Sequence, residues 1–462
     1  MKARLIVLTL ACLPAAATAT AQVNYAVSGN TAYVWNSPNA SGDIVIASTY
    51  NGYPVTSIGI RAFAECTSLT SVSIPNSVTK IASQAFQYCT SLTRVVIPDS
   101  VTSLDDRAFQ NCYRLAEVVI GNRVTGFGQL AFQNCSLSSV TIPDSVTILD
   151  HLAFSGCTNL TNVIFGRSVA IIGQWAFGSC AGLTSVTLPD SVTTIWRQAF
   201  SGCTSLASVT IGNGLSSIEP QAFTGCTSLA NLSVDAANSV YSSLDGVLFN
   251  KAQTTLLIFP PGRGGSYIIP NSVTNTGVSA FSGCTSLTNV TIPSSVTGIG
   301  SASFGGCTGL TCVTIPNSVS RIGYEAFINC TKVTNFTFLG NAPVLIPYPT
   351  NSLAGRWFAN VGAGAKAHYY CGTTGWGTNY GGLPTVMLCP PQIAAGSAGV
   401  KPGGFGFTLT RLTNQTIVVE ASTNLVNWQP IWTNSPPGAI NFVDPEWVNN
   451  PRRFYRARSD NP

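Results

Sequence analysis

The chain has 462 residues and a formal net charge of +5, yet charged residues make up only 8% of it, against about a quarter in an ordinary globular protein. Its Lys and Arg residues form no run, which argues against a nucleic-acid footprint and against a polybasic membrane patch. Solubility has to come from Ser, Thr, Asn and Gly more than from charge.

The first element is an export signal. Lys2 and Arg4 precede an apolar run from Leu5 to Leu13, followed by Pro14 and a small-residue tract that offers Ala-Thr-Ala before Gln22. This is the layout of a secretory signal peptide spanning residues 1–21, with cleavage after Ala21. A lipoprotein signal on Cys12 would need different flanking residues than Thr9 and Leu10. No later stretch has about 18 uninterrupted apolar residues, so no transmembrane segment is expected. The expected location is secreted or cell-surface.

A repeat follows. Cys66, Cys89, Cys112, Cys135, Cys157, Cys180, Cys203, Cys226, Cys284, Cys307 and Cys330 are spaced by 23 residues, with one spacing of 22 and one gap of 58. A period of this length means a solenoid. Each unit has a Phe three residues before its Cys, as in Phe63 and Phe327, and usually a Leu three residues after it. Two short β-prone stretches come next, such as Val72-Ser73-Ile74 and Val78-Thr79-Lys80-Ile81, divided by a Pro-Asn-Ser or Pro-Asp-Ser turn. Val-x-Ile alternation buries one face of a strand, and Pro followed by Asn or Asp ends it in a turn. A single unit cannot bury its own Phe, Leu, Val and Ile, so the array is stable only when stacked.

These units, which read approximately AF..C.SLT.V.IP.SVT.IG, resemble the leucine-rich repeats of the BspA type. The entry YNGYPVTSIGIRAF is similar to the N-terminal start of such arrays. The resemblance implies a β-rich leucine-rich-repeat solenoid of about 11 to 12 coils with parallel β-structure and short helical turns, over residues 22–340. It also implies a non-enzymatic, exported binding or adhesion protein, and does not name the partner.

The repeated cysteines read best as a buried, largely reduced ladder, because stacked Cβ vectors that point the same way make the disulfide dihedral hard to reach and Cys serves as a small hydrophobe. Identical ligands along a line also make no tetrahedral metal site. Cys371 and Cys389 are the disulfide candidates, and Cys312 has no evident partner.

Function on a solenoid sits at its irregularities, and two stand out. The position five before the Cys is usually polar but reads Leu130, Leu152 and Trp175 in consecutive units, with His151, Trp196 and Arg197 close by. This is either an apolar binding patch or a locally thicker core. The 58-residue gap contains the segment from Tyr241 to Pro270, where Asp245-Gly246 signals a hairpin. It reads as a longer structural unit or as a contact loop with Arg263 and Tyr267 at its edge. On the outward face of the first strands, Arg94, Val96, Glu117 and Val119 make a further possible contact spot.

After Gly340 the period fades. Residues 341–390 are expected to cap the last coil, with Trp357, Trp376 and Tyr380 as cover. Residues 391–462 alternate as a small antiparallel β-sandwich and resemble fibronectin-III-like modules through the Asn-Leu-x-x-Trp and Arg-Phe-Tyr-Arg stretches. No catalytic, phosphate-binding or metal-binding pattern accompanies His151 and His368, so neither an enzyme nor a cofactor is expected. The expected partner is an extracellular protein or a glycan. A carbohydrate-binding surface protein, marked by a row of outward rings, and a structural surface-layer component are the alternatives.

Overall fold

The computed structural model describes residues 23–347, 356–389, 391–410, 416–434, 439–450 and 453–460. The expected signal peptide lies outside them. Two compact units are present, one reaching Ala252 and including Pro260–Gly262, the other made of Gln253–Phe259 and the chain from Arg263 onward.

The first unit opens with an antiparallel hairpin of Tyr25–Ser28 and Thr31–Val34. The repeated coils that follow contribute a first strand, a tight turn, a second strand, six residues long at Tyr53–Ile58 and two residues long in the coils after it, and a run of turns carrying the Ala-Phe-x-x-Cys motif. Strands of successive coils pair in parallel with their equivalents, as Arg94 opposite Glu117, Ser185 opposite Ser208 and Ile171 opposite Thr194 show. The second strands form one sheet from the hairpin to Ser217–Ile218. The first strands fall into three sheets, Gly42–Val45 to Glu117–Ile120, Ser139–Thr141 with Asn162–Ile164, and Ser185–Thr187 to Asn231–Val234.

The short helical turns take the form of consecutive tight turns. Ala62 and Cys66 donate to the carbonyls three residues back, while Phe63 between them donates to Ala85 of the next coil at 2.8 Å. Alternation of local and inter-coil bonds leaves this third side of the coil with its own backbone ladder, so its buried amides are satisfied. It also forces two left-handed residues per coil. The one before each Cys is Asn or Gly in most coils, as at Asn111 (φ 62°) and Gly202 (φ 76°), which is the chemistry that conformation favours. The one five before each Cys is never Gly, and includes Arg61 (φ 55°), Leu130 (φ 61°) and Trp175 (φ 57°).

The core is built from columns. Phe86 and Phe109 stack with centroids 5.0 Å apart and planes 3° from parallel, and the column continues to Phe223 in this unit. All the repeat cysteines are buried and free. Each thiol donates to a carbonyl of the preceding coil, as Cys89 Sγ does to Phe63 O at 3.1 Å and Cys157 Sγ to Phe132 O at 3.2 Å. Burial pushes the Cys157 thiol up to about 12. Cysteine thus supplies a small apolar volume together with a proton for a carbonyl.

The turn after the first strand alternates between two forms. Pro98-Asp99, Pro143-Asp144 and Pro189-Asp190 are each followed one coil later by a glycine and a residue whose backbone N–H the carboxylate caps: Asn122, Arg167 and Asn213 at 2.7 to 2.9 Å. A Cβ on Gly121 or Gly166 would sit 2.4 and 2.3 Å from the proline carbonyl oxygen beneath it, so glycine is required there.

The insertion begins with a hairpin whose second strand is buried. Tyr241–Leu244 and Val247–Asn250 form an antiparallel hairpin in the first unit, turning at Asp245 (φ 50°) and Gly246 (φ 75°), the paired positive φ of a type I′ turn. Val247, Leu248 and Phe249 are fully buried.

In the second unit Phe259 starts a new aromatic column. It lies 5.1 Å from Phe281, and the column runs through Phe304 and Phe327 to Phe358. Lys366–Tyr370 and Leu383–Leu388 add in parallel to Asn335–Phe338. Trp376 and Tyr380 pack on Phe338, and the Tyr380 hydroxyl donates to Pro343 O. Trp357 donates its indole N–H to Ile346 O.

The remaining chain forms two antiparallel sheets, one centred on Gly404–Thr410 and one on Thr416–Ser422. Phe407, Leu409, Ile417, Val419, Ile440 and Phe442 make their core. Glu420 accepts from Arg456 at 2.6 Å and Arg458 at 3.0 Å, and Arg456 lies over the Trp428 ring.

Candidate interaction surface

The left-handed position five before the Cys determines what the turn side of the solenoid displays. Leu130, Leu152 and Trp175 stack there in consecutive coils, and the first two are tied by backbone bonds from Leu130 N to His151 O and from Leu152 N to Gln174 O, each 3.0 Å. All three side chains are half-buried, outside the Phe column. Trp175 folds back over Gly178, where a Cβ would come within 2.3 Å of the indole Cε3. The small residue at that position is what lets the ring lie flat.

His151 and Trp196 meet across the intervening coil with ring centroids 4.9 Å apart, and that coil has Gly173 beneath them. His151 Nδ1 accepts from Gln174 N at 3.1 Å, and its Nε2 is 3.9 Å from Asp150. Arg197 is exposed, with its guanidinium donating to Gln221 Oε1 at 2.9 and 3.1 Å and its backbone N–H to Glu219. The six residues singled out by sequence therefore occupy one side of neighbouring coils. With His151 and Trp196 in tilted ring contact and Arg197 hydrogen-bonded to Gln221, they form a half-buried apolar shelf with one cationic corner.

The outward face of the first strands is more polar. Arg94 and Glu117 pair at 3.2 Å, while Val96 and Val119 beside them are exposed. Thr70 and Ser71 both donate to Asp43, and the hydroxyls hold its carboxyl below the usual range, that of Ser71 most.

The insertion residues separate. Asp245 and Gly246 form the hairpin tip in the first unit, and a Cβ on Gly246 would lie 2.7 Å from Asn231 Oδ1. In the second unit the Arg263 guanidinium sits 5.6 Å over the Phe259 ring, and Tyr267 packs on Phe259 at 4.6 Å.

Cys371 and Cys389 follow the ends of two paired strands, and Cys371 N donates to Leu388 O at 3.0 Å. Both are free thiols, and burial together with the neighbouring Cys371 thiol raises the pKa of Cys389. Among the described residues no group of His, Cys, Asp and Glu could hold a metal ion, and no helix is long and apolar enough to cross a membrane.

The model of the BspA type leucine rich repeat region matches residues 46–161, 150–260 and 265–346. The crystal structure of a leucine rich cell surface protein from Faecalibacterium prausnitzii A2-165 is 28% identical, covers 73% of this chain and 95% of its own, and superposes with a TM-score of 0.50. A leucine-rich repeat protein from Bacteroides ovatus is 23% identical, with 79% of this chain and 98% of its own covered and a TM-score of 0.44. None of the curated proteins matches the chain.

Proposed function

Because the chain belongs to the BspA type leucine rich repeat family, we propose that it is a surface interaction protein that recognises extracellular protein or matrix ligands through the side of its solenoid. The observation that carries this reading is the shelf of Leu130, Leu152 and Trp175 beside the His151–Trp196 ring pair. Half-buried aromatic and aliphatic side chains held rigid before a partner arrives lose little entropy on binding, and Trp and Arg are favoured anchors. That the Faecalibacterium relative is a cell surface protein supports an extracellular setting, as does the signal-peptide layout expected for residues 1–21. Binding without catalysis suits both the family and the wide separation of His151 and His368 in sequence.

The test is a binding screen of the protein against immobilised extracellular-matrix proteins, run beside a Trp175→Ala/Trp196→Ala variant whose fold is checked by circular dichroism. A ligand bound by the wild type and lost at least tenfold by the folded variant supports the proposal. Binding that is the same in both proteins removes the shelf from consideration.

A further inference from the structure

A second surface of the first unit has a different chemistry. Across the strands Ser185–Thr187, Ser208–Ile211 and Asn231–Val234 lies a depression of about 610 Å³, rimmed by Arg167, Thr187, Asp190, Thr210, Ser233 and Asp235. Thr187, Thr210 and Ser233 are register partners on strands about 4.8 Å apart, and Ser233 Oγ donates to Thr210 Oγ1 at 3.3 Å. Asp190 and Asp235 each use Oδ1 to accept a backbone N–H, from Asn213 and Ala237. Their other oxygens have no hydrogen bond among the described residues. Nor does the exposed Arg167 guanidinium, whose own backbone N–H is held by Asp144. A second depression of about 350 Å³ adjoins the first, sharing Thr187 and Pro189 and adding Asn162 and the half-buried Phe165 ring.

We infer that this trough is a binding site for a neutral saccharide. Its rim alternates hydroxyls, carboxylate oxygens and one guanidinium, so it offers acceptors and donors together, the pairing that a chain of sugar hydroxyls satisfies. Two carboxylates against one cation disfavour a polyanion. The middle strand beneath the larger depression, Ser208–Ile211, is paired on both sides, leaving no edge at its centre to which a peptide could add as a strand. The two depressions cross four strands, about 14 Å at strand spacing, which gives room for several sugar units. No row of outward aromatic rings is involved; the floor is aliphatic, with Leu188, Pro189 and Ile211.

The experiment is calorimetric titration of the protein with neutral hexasaccharides of glucose, xylose and mannose, with hexagalacturonate as the acidic arm and an unstructured Ser/Thr-rich peptide as the polypeptide arm. The expected result is binding of a neutral hexasaccharide that weakens roughly tenfold in Arg167→Ala and in the isosteric Thr210→Val. It should be unchanged in Trp175→Ala/Trp196→Ala, which separates this site from the apolar shelf. Failure of all three neutral probes at millimolar concentration would overturn the inference. So would binding that survives both trough substitutions within twofold, or binding confined to the acidic or peptide arm.

Discussion

Phe177 is the sharpest probe of the stacked core. It lies between Phe154 and Phe200 with centroids 5.4 and 5.3 Å away and planes within 6° of parallel, and Phe165 meets it edge-on at 5.8 Å. Its side chain is fully buried. Truncation to Ala removes a ring whose loss costs about 3–5 kcal/mol in a packed core. Each stacking contact is worth about 0.5–1.5 kcal/mol beyond burial, and with neighbours on both sides Phe177→Ala belongs at the upper end, near 5 kcal/mol. Tyr113→Ala, at a ring 49% exposed, should cost less than about 0.5 kcal/mol. Urea denaturation followed by far-UV circular dichroism gives both values. In a one-dimensional array the lost ring also uncouples the coils on its two sides, so the Phe177→Ala transition should broaden. A cost for Phe177→Ala within 1 kcal/mol of the Tyr113→Ala control would refute the column as the source of stability.

Three further outcomes follow from the same geometry. Among the described cysteines, exposed Cys312 should react quickly with a thiol reagent in the folded protein, while the repeat cysteines react only after denaturation, as a time course with a chromogenic disulfide will show. Under a thiol–disulfide oxidant Cys371 and Cys389 are expected to join, with loss of two hydrogens by intact mass and a linked peptide pair after digestion. Hydrogen bonds from Arg456 first and Arg458 second hold the Glu420 carboxyl below its usual range; a carboxylate with a depressed folded pKa stabilises above its unfolded value, near 4.3, and loses that contribution as pH falls through the folded one. The C-terminal sheets should therefore weaken below about pH 4 in the wild type, and Glu420→Gln should flatten that dependence in thermal melts.

The period was readable because every coil buries the same positions. Phe, Cys, Leu and Val recur at fixed spacing, and one coil's core predicts the next. What the letters hid was backbone conformation. The position five before the Cys is left-handed in every coil, yet Arg61, Leu130 and Trp175 carry none of the Gly or Asn that would announce it, so the shelf read as an apolar anomaly on an ordinary surface. The Pro-Asp and Gly alternation was also in plain view, but its meaning required the contact of Gly121 with the Pro98 carbonyl. Phe259 escaped notice for the opposite reason. Glycine, not cysteine, stands three residues after it, and the broken spacing disguised the residue that opens the second aromatic column. The saccharide trough has no motif, because it gathers side chains from successive coils that meet only through the register.

The central claim is that recognition uses the turn side of the solenoid. It is tested most directly by placing a photoreactive side chain at exposed Gln174, next to Trp175, and separately at exposed Ser139 on the first-strand face, then irradiating each protein with the matrix ligand found in the screen. The account predicts a cross-link from position 174 and none from position 139. A cross-link from position 139 alone would contradict it.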